Sequence, residues 1–190
     1  TTGPIKAVDL FPEFLDRLKS RAAAAGCSDR IQTLAVSMDE QPFADEEFDL
    51  IWSEGAIYNI GFQKGLRDWR RFLKPGGVIA VSEITWLTTD RPAELDAYWT
   101  GQYAEITTAA GKLKVIEAQG YRPLGYFVLP ARCWSENYYR PMHDRCAAFL
   151  KRHEHSELAK SVVREHEEES AHFEKYQEFY SYGFYVAQKL

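Results

Sequence analysis

The sequence predicts an α/β domain, doubly wound around a mostly parallel sheet, on three observations. Residues 31–36 and 48–52 are short apolar runs without strict alternation, the pattern of strands buried on both faces in a parallel sheet. Such runs alternate with stretches whose apolar residues recur at helical spacing. Polar clusters then follow the strands directly, at residues 37–39 and 53–58. In open α/β sheets the carboxyl ends of strands are where ligands sit.

Taken in order, residues 5–8 form a strand that ends in Asp9. Pro12 suits a first helical position, Phe11, Phe14, Leu15, Leu18, Ala22 and Ala25 make an apolar stripe, and Gly26 is a helix stop. Strands 31–36 and 48–52 flank a polar loop anchored by Pro42 and Phe43. A helix is predicted over 64–73, with Leu66, Trp69, Phe72 and Leu73 facing in. Pro75, Gly76 and Gly77 should stop it and turn the chain into strand 78–84. Glu83 and Trp86 fall at or past the carboxyl end of that strand. Residues 90–106 read as a helix capped by Asp90, with Leu95, Trp99, Tyr103 and Ile106 on its apolar face. Residues 108–118 read as another, stopped by Gly120. Residues 121–129 form a strand whose Pro123 points to an edge. Residues 135–152 and 156–176 are helical, the run Glu165 to Glu169 reading as a solvated face. A last aromatic strand covers 180–188.

The stretch S-M-D-E-Q-P-F (37–43), then F-D-L-I-W (48–52), then L-K-P-G-G (73–77) before an apolar strand resembles the class I S-adenosylmethionine-dependent methyltransferases, above all the small-molecule group that includes the quinone-biosynthesis C-methyltransferases. The resemblance covers residues 5–81 well and the remainder in outline. It implies a Rossmann-like doubly wound sheet with an antiparallel C-terminal strand. One methyltransferase-type domain would span residues 1–190, with a helical insertion at about 131–178. S-adenosylmethionine is the implied cofactor. Asp9 would accept both ribose hydroxyls, since a carboxylate offers two acceptor oxygens to a vicinal diol, with Leu10 beside it. Ser37, Met38 and Asp39 would meet the adenine, the exocyclic amine going to either Ser37 or Asp39. Ser53 would line the methionine end. Glu54 and Tyr58 are candidates for the catalytic side, where a Glu could orient or deprotonate the acceptor or else bind the cofactor's ammonium or cap a helix. Trp86, Trp99 and Tyr103 are expected to roof the substrate.

One family feature is missing. The glycine-rich loop should stand about 20 residues before Asp9, and the sequence leaves no room for it. The first strand, its loop and its helix are therefore expected upstream of Thr1, the first strand lying between the strand that ends at Asp9 and the one that ends at Trp52.

Composition narrows the function further. With 190 residues, 45% hydrophobic and 27% charged, the chain can bury a sizeable core. A net charge of -5 advertises no basic face for nucleic acid, and no apolar run reaches the ~18 residues of a membrane span. Three scattered cysteines suggest reduced thiols and a cytoplasmic setting. The five histidines fall in no metal-ligand spacing, and no G-x-S-x-G elbow or Walker loop occurs. The expected function is methyl transfer to a small-molecule acceptor, with a homodimer as a possible assembly. The alternatives are a non-catalytic partner or scaffold on the same fold, and a nicotinamide dehydrogenase, which L-K-P-G-G and the 37–43 loop do not support.

Overall fold

The computed structural model describes residues 3–190. The chain opens with β1 (Ile5–Asp9), α1 (Pro12–Ala24) and β2 (Ile31–Ala35), the two strands parallel and paired from Ile5↔Ile31 to Asp9↔Ala35. Pro12 opens α1 as its fixed φ allows, and Gly26 turns the chain out of it at φ 66°. Only part of the expected apolar stripe is covered: Leu15 and Ala22 are buried, whereas Phe11 and Phe14 stand in solvent.

The larger sheet has the order β3-β4-β7-β6. β3 (Phe48–Ser53) runs parallel to β4 (Leu73–Trp86). β7 (Tyr180–Lys189) is inserted antiparallel between β4 and β6 (Tyr121–Val128), and the short β5 (Thr107–Thr108) pairs with the end of β4. β6, with its Pro123, is the edge strand, as a residue without an N–H requires.

Two boundaries differ from the sequence expectation, each for a local reason. The helix expected over 64–73 is α2 (Phe62–Trp69), and β4 begins already at Leu73. Pro75-Gly76-Gly77 does not stop a helix; it makes a bulge inside the strand, where Phe48 pairs with Leu73 and Leu50 with Val78. Gly76 adopts φ 74°, and a β-carbon on Gly77 would stand 2.9 Å from the Lys74 carbonyl oxygen, so the bulge needs both glycines. The helix expected from Asp90 is α3 (Ala93–Gln102), with Pro92 at the cap and Asp90 outside it. Pro92 disfavours helical geometry at Arg91, which delays the start. Tyr103 follows in extended conformation.

Helices pack on both faces of the larger sheet. On one face Ile79, Val81, Tyr185 and Ala187 bury against Phe62, Leu66 and Trp69 of α2 and Ile116 of α4 (Ala109–Ala118). On the other, Ile84, Trp86 and Tyr180 bury against residues of the helical segment between β6 and β7. That segment comprises α5 (Ala131–Trp134), a π-helical turn (Ser135–Tyr139), α6 (Arg140–Arg152) and α7 (Glu157–Tyr176). Ser156 caps α7 by accepting the N–H of Ala159.

The sheet is broken between its two parts. β1 pairs with β2 and β3 with β4, and among the described residues neither β1 nor β3 has a strand on its other edge. Lys6 of β1 reaches across the break to Glu47 and lies 5.4 Å from the Phe43 ring. Leu50 and Trp52 of β3 remain 47% and 61% exposed, so the edge is open to water.

Candidate functional site

The expected cofactor residues fall at strand ends: Asp9 and the 37–39 loop at the ends of the paired β1 and β2, and Ser53 at the end of β3 in the larger sheet. Asp9 ends β1, and one of its oxygens accepts the Phe11 N–H at 2.8 Å; Leu10 beside it is exposed. Ser37, Met38 and Asp39 follow β2. The Ser37 hydroxyl donates to Asp39 and holds its carboxyl below the usual carboxylate range. The Met38 carbonyl accepts the Trp69 indole N–H at 3.0 Å, which fixes this loop to α2. Ser53 ends β3, and the Gly55 N–H donates to Ser82 Oγ of β4 at 2.8 Å.

Just past the end of β3 lies a cavity of about 1000 Å³. Gly55, Tyr58, Trp99, Tyr103, Trp134 and Tyr182 are among its walls, as are Glu83 of β4 and Glu165, Glu168, Glu169 and His172 of α7. Trp134 stacks between Phe173, 4.8 Å away, and Tyr182, 5.0 Å away, and donates its indole N–H to Ser181 Oγ at 3.1 Å. Trp99 and Tyr103, expected to roof a substrate, are both among the walls of this cavity. Trp86 does not: it extends β4 into the core, 3% exposed, with the Arg91 guanidinium 4.2 Å above its ring. Of the two catalytic candidates, Tyr58 lines the cavity with its ring against Tyr103. Glu54 is exposed and accepts the Trp52 indole N–H at 2.6 Å. The run Glu165 to Glu169, expected as a solvated face, turns three carboxylates toward the cavity.

The groups that the sequence reading left without a role are Glu83 and Lys112, fully enclosed at 0% and 1% exposure. Glu83 Oε1 accepts the Ile84 N–H at 3.0 Å, and the Tyr103 hydroxyl also interacts with this carboxyl. Lys112 of α4 donates to the Tyr103 hydroxyl at 3.4 Å and sits 4.3 Å from the Phe62 ring. Tyr103 in turn donates to Glu105, which also accepts the Phe62 N–H at 2.5 Å. Burial pushes the Glu83 carboxyl up to about 7, with Lys112 opposing, and pushes the Lys112 ammonium down to about 8. A charged residue inside an otherwise apolar strand was the available signal.

These shifts fix a pH dependence. Between the unfolded carboxyl value of 4.5 and the folded value near 7, the folded chain holds a proton that the unfolded chain has released. Stability is therefore greatest below that window and falls as pH rises through it. Lys112 acts in the opposite sense above 8, where the folded chain releases its proton first and stability recovers. Glu105, Tyr103 and Tyr182 face the same pair. The melting temperature is expected to fall from pH 5 to pH 7, and Glu83→Gln should flatten that slope in thermal scans. An unchanged slope would locate the dependence elsewhere.

Comparison with known proteins agrees with this architecture. A methyltransferase domain model matches residues 2–81. The chain is 32% identical over 82 residues to a ubiquinone/menaquinone biosynthesis C-methyltransferase of Geotalea daltonii, covering 43% of this chain and 35% of that one. A dimethylglycine N-methyltransferase of Parasynechococcus marenigrum is 32% identical over 81 residues, 42% of this chain and 29% of that one. The matches thus span about a third of the length of these curated relatives. Among solved structures, a methyltransferase of Thiobacillus denitrificans in complex with S-adenosylhomocysteine superposes with a TM-score of 0.84 at 18% identity, over 99% of this chain and 76% of that one. Among the described residues no helix is long and apolar enough to cross a membrane, and no cluster of His, Cys, Asp and Glu is arranged to hold a metal. Over residues 2–81 the chain is thus similar in sequence to methyltransferase domains, the quinone-biosynthesis C-methyltransferases among them, and over the described residues it has the fold of solved methyltransferase structures.

Proposed function

We propose that the protein transfers a methyl group from S-adenosylmethionine to a small-molecule acceptor held in the aromatic cavity. What supports this reading is that Asp9 and the 37–39 loop follow β1 and β2, Ser53 ends β3, and Gly55 and Tyr58 just past β3 line a large cavity. The donor chemistry of these residues fits the cofactor. Asp9 accepts the ribose hydroxyls, with Leu10 against the sugar. The loop of Ser37, Met38 and Asp39 offers acceptors for an exocyclic amine and a polarisable thioether for a ring. Ser53 stands where the methionine portion enters. When bound, S-adenosylmethionine supplies an activated methyl group; the chain supplies position and dryness.

The remaining tasks fall to the chain's own residues. Tyr58 and Tyr103 close the mouth of the cavity and exclude water. Glu83 stands enclosed in the cavity wall, its affinity for protons raised by burial. Glu54, tied to Trp52 on the outer side of the loop, shapes the approach to the end of β3.

Asp9→Ala is expected to weaken S-adenosylhomocysteine binding by about 1.5–3 kcal/mol, the range for hydrogen bonds to a charged group. Calorimetry on the full-length protein tests this. Unchanged affinity would remove Asp9 from the site, and no binding by the unsubstituted protein would remove the function.

A further inference from the structure

The first amide of α2 finds its acceptor far along the chain. The opening N–H groups of a helix need partners from outside it, and Gly61, in the capping position, has no side chain to offer one. Glu105 supplies it. Its Oε2 accepts the Phe62 N–H at 2.5 Å, a charge-assisted bond at a helix end that favours a negative group. A β-carbon on Gly61 would stand 3.3 Å from the same oxygen, so the glycine leaves the approach free. The caps of α4 and α7 are local by contrast, Thr108 and Ser156 each serving its own helix.

The same oxygen holds a second segment. The Tyr103 hydroxyl donates to Glu105 Oε2 at 3.1 Å and accepts from Lys112 at 3.4 Å. Glu105 thereby joins the 53–62 loop to the chain that leaves α3. Each side carries part of the cavity wall: Gly55 and Tyr58 on the loop, Trp99 and Tyr103 opposite. The rings of Tyr58 and Tyr103 meet 6.3 Å apart. The loop is pinned at its other end too, where Gly55 donates to Ser82 Oγ and Ile57, in a short turn (Ile57–Asn59), is fully buried. Glu105 itself is exposed, so its removal takes no packing from the core. What it contributes is the placement of the two segments.

Resting on the methyltransferase reading above, we propose that Glu105 is a positioning residue for the reaction. Through the Phe62 N–H and the Tyr103 hydroxyl it sets Tyr58 and Tyr103 across the cavity mouth, and it holds the 53–62 loop so that Ser53 meets the methionine end of the cofactor. The cavity and the end of β3 are thus linked by one carboxylate, and loosening it loosens the cofactor's seat.

The test uses the full-length protein, with amide hydrogen exchange and calorimetric titration of S-adenosylhomocysteine. Glu105→Ala should speed exchange at Phe62 roughly tenfold or more, as the loss of a bond to a charged acceptor implies. The amides of Asn59, Ile60 and Gly61, which bond within the loop, should quicken with it, while those of β4 and β7 keep their rates. S-adenosylhomocysteine should bind roughly fivefold or more weakly, the lower end of coupling between sites. Glu105→Gln keeps a side-chain oxygen at the same reach and should recover most of both. Faster exchange across the whole sheet, unchanged affinity beside a freed loop, or no recovery with glutamine would each overturn the proposal. Should Glu105→Ala not melt cooperatively, Glu105→Asp, one methylene short of the Phe62 N–H, should show the same release confined to the loop; release elsewhere, or none, counts against it. The two readings separate in the parent protein. If it binds no S-adenosylhomocysteine, the methyltransferase reading fails, and the exchange measurements alone decide whether Glu105 holds the mouth. If it binds and the variants do not weaken it, the positioning role alone fails.

Discussion

Trp134→Ala is expected to lower stability by about 3–5 kcal/mol, the cost of removing a buried tryptophan and leaving a hole. For a chain of this size that is a fall of roughly 6–20 °C in melting temperature. The ring is 8% exposed and stacks between Phe173 of α7 and Tyr182 of β7. Its N–H also satisfies Ser181, whose hydroxyl donates to the Leu129 carbonyl at 2.9 Å. One side chain thus ties the helical segment to the strand beneath and forms a wall of the cavity. Trp134→Phe retains a stacking ring and loses a single neutral hydrogen bond, so it should cost nearer 1 kcal/mol plus a smaller void. Thermal and denaturant unfolding of the two variants decides the matter. A Trp134→Ala protein that melts within a degree or two of the parent would show that the segment is not packed as described.

The second large effect concerns the break in the sheet. Strand edges left unpaired inside a core would cost about 1–3 kcal/mol for each stranded group. The structure changes the currency of that cost. The edges of β1 and β3 are open to water, so their polar groups are hydrated, and what is lost is apolar burial at Ile5, Leu50 and Trp52. Fully burying such a side chain contributes about 1.5–3 kcal/mol, against a total stability of only ~5–15 kcal/mol. We propose that an extended segment followed by a helix completes the sheet between β1 and β3 in the working protein, a unit of roughly 30 residues. The expected result is slow amide exchange along both edges in the full-length protein and fast exchange there in residues 1–190 alone, with loss of tight S-adenosylhomocysteine binding. A monomeric 190-residue product that melts sharply and binds the cofactor would overturn this.

The strands and most helices were legible because their signals are local. Apolar runs at 31–35 and 48–53, the proline and glycine that bracket α1, and the inward face of α2 each follow from residues within one element. The strand ends at Asp9 and Ser53 were legible for the same reason, since a strand's end declares itself in sequence. What was missed depends on distant partners. Glu83 becomes a buried carboxyl only because α4 brings Lys112 beside it and the 131–176 segment shares the cavity above it. Pro75-Gly76-Gly77 carries the same turn signal whether it ends a helix or bulges a strand, and only the pairing of Leu73 with Phe48 distinguishes the two.

Open strand edges also have a consequence for how the isolated chain behaves at concentration. A parallel edge with its N–H and C=O groups unpaired is a template for any extended polypeptide, another copy included. Here two such edges lie beside exposed Leu50, Trp52 and Ile5. At the break Lys6 is engaged with Glu47. Self-association by strand addition should therefore rise with concentration and with salt, which screens that pair, and should cease when a strand occupies the break. The open edges of β1 and β3 are thus where the chain is most vulnerable to aggregation.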